Sequence, residues 1–291
     1  MNQVEKTAWE VSRKEGRIGV GTWLHFNVDM EVVHAAAEDW RQQVSGIERP
    51  WLCWNLHHRW CLLQQRLVAE MGWTPVVGWD PNCGQGRPPL IEGAVAINFN
   101  ERFRFPVLFL HVPLEFMFLW CERLAFWHAD LLLPRGQLRQ IVDLFEGLDD
   151  GEMAAVFSYG GVRNILKHRR YRFWELIGCT TRGASRDNFR TGCGWWKHIF
   201  HHINCPQDPK EIARRKKYWD DHGCGIRYWK KYYGGKVYAI PERQVAKGHF
   251  SVIGRKHYIR GKSKSEEMDL NFDLDEIAKE FGIDDLLEDN G

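Results

Sequence analysis

The chain has 291 residues and lacks any stretch approaching the roughly 18 uninterrupted apolar residues that a helical membrane span requires. Its most apolar run, Phe105 to Trp120, is broken by His111, Pro113 and Glu115. The opening residues MNQVEKTAWEVSRKEG have no apolar core and no small-residue cleavage site of the secretory kind, so a soluble, cytoplasmic protein is expected, with no membrane span. In that setting eight cysteines read as reduced thiols or metal ligands rather than a disulfide framework. Paired C-x-x-C knuckles are missing, as is any internal repeat. Net charge is nearly missing too, at +2, but this balance conceals a division. Residues 163 to 264 hold 25 basic and seven acidic residues, residues 266 to 291 hold eleven acidic residues against one Lys, and residues 1 to 162 carry a net charge of −6.

What is present is a globular composition, 44% hydrophobic and 27% charged, with length for one large domain or two modest ones. Fifteen Trp residues are unusual. Trp fills cores and anchors interfaces more often than it binds ligands, yet so large a set leaves room for stacking on sugars or bases.

Periodicity separates the elements. VVHAAAEDWRQQV is helix-prone, RPWLCWNL reads as a short buried strand, and HRWCLLQQRLVAEMG has helical spacing and a Gly72 stop. TPVVGWD and AVAINF read as strands around the loop PNCGQGRPP, VPLEFMFLWCER as a helix, LAFW as a strand, GQLRQIVDLFEGL as an amphipathic helix and MAAVFSY as another strand. Strands alternating with helices at this spacing predict an α/β fold with a mostly parallel sheet flanked by helices. Ligands of such sheets gather beyond the carboxyl ends of strands. His128 and Asp130 fall at such an end, after LAFW and before the apolar Leu131-Leu132-Leu133.

The ordered set from residue 50 to 160, with WLCWNLHHRWCLLQQRLVAEMGW, then LAFWHAD, then a helix and MAAVFS, resembles a GT-A fold nucleotide-sugar glycosyltransferase. In that family a D-x-D element holds a divalent cation against the donor diphosphate. Asp130 matches the second aspartate, and His128 stands where the first is usual, a departure that favours Mn2+ over Mg2+. The resemblance implies His249 in KGHFSVIG as a further ligand, a UDP-sugar as the expected donor, and Asn55, Arg59, Arg66 and Trp127 as donor-binding residues. An inverting reaction needs a carboxylate base, for which Asp187 and Glu175 are the candidates; either can instead pair with a neighbouring arginine. A retaining reaction can dispense with the base.

Cys179, Cys193, Cys205 and Cys224 lie among His198, His201, His202 and His222, which leaves a structural zinc as an alternative to reduced thiols. RNILKHRRYRFW, ARRKKYW, RYWKKYY and GRKHYIRGKSK alternate cations with rings, a pattern suited to phosphate backbones and exposed bases. Arg169, Arg170, Arg172, Trp195, Trp196, Lys216 and Lys217 are the acceptor-side candidates. Joined to the resemblance, this makes DNA carrying a 5-hydroxymethyl-pyrimidine the favoured acceptor, as for DNA-modifying glycosyltransferases of bacteriophages. A glycan, lipid or protein acceptor is the first alternative, and a non-catalytic, zinc-stabilised nucleic-acid-binding protein the second. The expected organisation is a helical segment over 1–48, a nucleotide-sugar half over 49–160, a basic acceptor half over 161–265 and an acidic tail over 266–291. Within that tail DLDEIAKEFGIDDLL reads as a short amphipathic helix, solvated or loosely docked.

Overall fold

A computed structural model describes residues 30–81, 84–102, 121–158, 172–195, 204, 206–216, 223–250 and 273–287. Its strands are β1 (Pro50–Trp54), β2 (Thr74–Trp79), β3 (Val95–Asn98), β4 (Arg123–Trp127), β5 (Glu152–Ser158), β6 (Arg172–Thr181) and β7 (Lys236–Pro241). The helices are α1 (Met30–Val44), α2 (His58–Glu70), α3 (Arg135–Glu146), α4 (Arg182–Arg190), α5 (Pro209–Lys216), α6 (Cys224–Tyr232) and α7 (Leu274–Phe281). The seven strands form one sheet in the order β3-β2-β1-β4-β6-β5-β7. All pairings are parallel except those of β6, which runs against both β4 and β5. An α/β fold with a mostly parallel sheet is therefore observed. Among the described residues, no helix is long and apolar enough to cross a membrane.

The strand sequences look apolar throughout because the central strands are covered on both faces. Every residue of β1 is buried, as are Leu124 to Trp127 of β4. Trp51 lies at the centre, with its ring centroid 5.3 Å from that of Trp127 and 5.5 Å from that of Phe145. Trp127 is wholly buried and its Nε1 donates to Cys53 Sγ at 3.3 Å, so it is a core residue and not the donor-binding side chain expected.

β6 and β7 lie beyond residue 160, and both complete the sheet begun by β1 to β5. The expected boundary between the 49–160 and 161–265 halves thus falls inside one sheet. Glycines and polar residues in ELIGCTTRG masked a ten-residue strand whose second half is buried, Leu176 to Thr181. The helix expected over VPLEFMFLWCER falls almost entirely outside the described residues, as do the runs 163–171 and 254–264.

The basic run ARRKKYW is not all surface. Arg215 is fully buried, with Nε 3.0 Å from Glu211 Oε1 and its Nη1 and Nη2 donating to the carbonyls of Gly192 and Thr191 at 2.8 and 2.7 Å. Tyr228 Oη donates to the same Glu211 oxygen at 2.6 Å. This network ties α5 to α6 and to the end of α4.

The acidic C-terminal segment is docked as well as helical. Asp273 caps α7 by accepting from the Asp275 and Glu276 amides, and Gly282, at φ +64°, ends it. Leu274, Ile277, Ala278 and Ile283 are buried. A solvated tail would expose them.

Candidate metal centre at the end of β4

His128 is the first residue past β4, and its amide donates to the Leu176 carbonyl of β6 at 2.7 Å. The chain then turns tightly, with the Leu131 amide donating to the His128 carbonyl at 3.2 Å. Leu131, Leu132 and Leu133 are each fully buried, so the apolar triplet anchors the far side of the turn and leaves the polar pair at the lip. Gln64, buried on α2, donates its Nε2 to the carbonyls of both His128 and Leu131, at 2.9 and 2.8 Å. One amide thus closes the turn, a role for which helical periodicity alone gave no signal.

The third side chain arrives from after β7. Leu132 donates its amide to the Gly248 carbonyl at 2.9 Å, Phe250 donates to the Asp130 carbonyl at 2.7 Å, and Leu131 and His249 form an antiparallel bridge. The approach is so close at Gly248 that a Cβ there would stand 1.8 Å from the Leu132 carbonyl oxygen. Gly248→Ala should push the segment bearing His249 off the turn and weaken the hold on any ion placed there by about tenfold or more, as loss of outer-shell support does elsewhere, in a direct Mn2+ titration.

His128 Nδ1 contacts Asp130 Oδ1, and His249 Nε2 lies 3.1 Å from the same oxygen. The ligand atoms of the three residues all lie within 4.8 Å of one another, and no other such group of three occurs among the described residues. Neighbouring ligands around an ion with bonds of about 2.1 Å are roughly 3 Å apart, so the three atoms lie near enough for small side-chain shifts to gather them around one cation. Two imidazole nitrogens with one carboxylate oxygen favour a first-row transition ion such as Mn2+ over Mg2+.

The electrostatics favour an ionised Asp130. Burial alone would raise the Asp130 carboxyl, but the His128 and His249 imidazoles beside it hold it well below the usual carboxylate range. Burial disfavours the His128 imidazolium, yet Asp130 and, to a smaller extent, Glu175 outweigh that and raise its pKa. Glu175 therefore stands in the field of the site. Its position follows from an irregularity in β6: Ala155 pairs with Gly178 and Val156 with Trp174, leaving Glu175 to Ile177 as a bulge. Bulges beside sites re-aim side chains.

The centre adjoins the crevice where the sheet's strand order reverses, between β1 and β4. Asn55 sits there at the end of β1, fully buried, its Nδ2 donating to the Gly86 carbonyl at 2.6 Å and its Oδ1 without a hydrogen-bond partner among the described residues. At the adjoining strand ends lies a buried polar pair that pattern reading missed, with Asn100 Nδ2 donating to Asp80 Oδ1 at 3.1 Å. The Asp that ends TPVVGWD was its one sequence signal.

The other expected site residues are placed differently. Arg59 pairs with Asp275 at 2.7 Å and Arg66 donates to the Leu286 carbonyl at 2.5 Å, so both hold the C-terminal segment. Asp187, on α4, accepts from Arg190 at 2.5 Å and from Trp229 Nε1 at 2.6 Å, the arginine pairing that was the alternative to its role as base. Trp195 is buried edge-on to Phe126 at 5.1 Å and is no stacking platform. Arg172 lies 4.0 Å over the Trp174 ring, and Lys216 closes α5. Arg169, Arg170, Trp196, Lys217 and Cys205 lie outside the described residues.

Cys179, Cys193 and Cys224 are buried free thiols that form no metal-ligating group among the described residues. Burial pushes the Cys179 thiol well above the ordinary cysteine range, opposing the thiolate that zinc requires. Comparison with protein-family models, with curated proteins and with solved structures found no match to this chain.

Proposed function

We propose that the chain is a metal-dependent glycosyltransferase that moves a sugar from a nucleotide-sugar, with UDP-sugars first among the donors, to a hydroxyl acceptor. The observation that carries the reading is the His128, Asp130 and His249 group at the lip of β4, beside the β1/β4 crevice. In such a reaction the bond from the anomeric carbon to the diphosphate oxygen breaks and a bond to the acceptor oxygen forms. A divalent cation held by the three side chains, Mn2+ before Mg2+, would supply charge stabilisation to the departing diphosphate. Asp130 contributes the anionic ligand, and Gln64 keeps the turn that bears it closed.

Glu175 is the base in this reading, taking the acceptor's proton as its oxygen attacks. Glu175→Gln should lower steady-state transfer by about 100-fold or more while leaving donor affinity near wild type. An equal loss of donor affinity would make Glu175 a binding residue instead.

For the acceptor we favour a 5-hydroxymethyl-pyrimidine base in DNA. The support is the basic 163–264 region together with its exposed rings: Tyr233 and Tyr238 are 38% and 46% exposed, and Arg214 lies 4.6 Å over the Tyr232 ring. Radiolabelled nucleotide-sugars, incubated with Mn2+ and with or without hydroxymethylated duplex, test both levels. Label on the duplex supports the full reading. Donor hydrolysis without transfer to DNA leaves a glycosyltransferase with a glycan, lipid or protein acceptor, and no turnover of any donor refutes the class.

Two imidazoles and a carboxylate also serve non-haem iron(II) centres, which makes an oxygen-using iron enzyme the second reading. It requires iron-dependent oxygen consumption by the purified protein, which the first reading does not.

A further inference from the structure

We propose that Phe281, on the C-terminal helix, is a positioning residue for the metal centre: it holds Phe250, and through Phe250 the third ligand His249, against Asp130. The inference rests on the metal-centre reading above. Two backbone hydrogen bonds, from Leu132 to Gly248 and from Phe250 to Asp130, pin the segment that bears His249. The Phe250 ring meets Trp60 of α2, with centroids 5.8 Å apart, and Phe281 of α7, with centroids 6.0 Å apart. Phe281 belongs to the acidic C-terminal segment.

That segment is itself held by three arginines of the nucleotide-sugar half. Arg59 pairs with Asp275 at 2.7 Å, Arg66 donates to the Leu286 carbonyl at 2.5 Å, and Arg135 bridges Glu70, at 2.8 Å, to Asp285, at 2.6 Å, while also reaching the Gly282 carbonyl. Asp275 and Asp285 thus help to seat α7 beside the site. Coupling of this kind is reciprocal: if docked α7 holds His249 in place, an ion that captures His249 must hold α7 in place. A helix with a merely structural role would not respond to the ion.

Two measurements with Mn2+ alone test the assignment. Titration of the full-length protein, followed by the electron spin resonance signal of free Mn2+, compares wild type with Phe281→Ala, Phe281→Leu and, as a surface control, Arg49→Ala. Phe281→Ala should weaken Mn2+ binding by about tenfold or more, Phe281→Leu less, and Arg49→Ala not at all. Hydrogen exchange of wild type should show slower exchange across residues 273–287 when Mn2+ is bound, a readout that holds even if a variant folds poorly. Unchanged exchange in those residues at saturating Mn2+, or wild-type affinity in a folded Phe281→Ala protein, would overturn the assignment. Failure of wild type itself to bind Mn2+ is a separate result, which removes the metal centre and this role with it.

Discussion

Replacing Asp130 by Ala should abolish measurable Mn2+ binding and lower sugar transfer by roughly a thousand-fold or more, because loss of a single electrostatic element at a developing charge costs about 100- to 1,000-fold and loss of the ion costs several kcal/mol. Asp130 is the hub of the centre: both imidazoles approach its Oδ1, and it is the sole carboxylate of the group. His128 and His249 alone would present two neutral nitrogens with no charge to offset the ion's. Asp130→Asn keeps the shape and the hydrogen-bonding reach but removes the charge, so it should behave nearly as badly. Full turnover in Asp130→Asn would show that the charge at this position is not what catalysis uses. Metal affinity and transfer rate measured on the same preparations, with circular dichroism to establish folding, decide the matter.

The second large effect concerns stability. Glu211→Ala should cost about 3–5 kcal/mol, since it strands the Arg215 guanidinium in the interior without its counter-charge. Replacing both residues by apolar ones of similar volume should cost far less, because the unpaired charge, and not the pair's net worth, is what destabilises. Urea unfolding of the single and double variants measures the difference. Acid unfolding carries a further signature. Burial alone would raise the Glu211 carboxyl, but hydrogen bonds from Tyr228, Arg215 and Arg214 reverse this and lower it below its ordinary value of 4.5. A depressed folded-state pKa means the unfolded chain takes up the proton first. The stabilisation is therefore complete above pH 4.5 and lost as pH falls below it towards the folded-state value. Glu211→Gln should flatten the wild-type stability profile in that acid range and leave its shape near neutrality unchanged.

Much of the sheet was legible in the sequence because its first five strands are either continuously apolar or bounded by glycine and proline, and the helices between them keep a 3.6-residue period. RPWLCWNL, TPVVGWD, AVAINF, LAFW and MAAVFSY all contain strands, and HAD does fall at a strand end. β6 was illegible because it runs antiparallel between β4 and β5, carries a bulge and includes Gly178 where Ala154 and Phe126 leave no room for a side chain. His249 was expected only through the family resemblance, and its bridge to Leu131 joins residues more than a hundred positions apart, a pairing that no local pattern encodes. Arg59 and Arg66 were misassigned for the same reason. Their partners lie in the C-terminal segment, and an arginine on a helix face reads alike whether it meets a phosphate or the chain's own carboxylates and carbonyls. Trp127 and Trp195 show the limit of composition, since a ring adjoining polar residues in sequence can still point into the core.

The proposed transfer requires that a nucleotide-sugar meet a metal ion at the lip of β4. Calorimetric titration of UDP-glucose into the full-length protein, with Mn2+ present and then with it chelated, tests that meeting. Binding with Mn2+ that disappears on chelation and in Asp130→Ala is the result expected. Binding of equal strength in all three conditions, or heat from none of a panel of nucleotide-sugars in the presence of Mn2+, would contradict it.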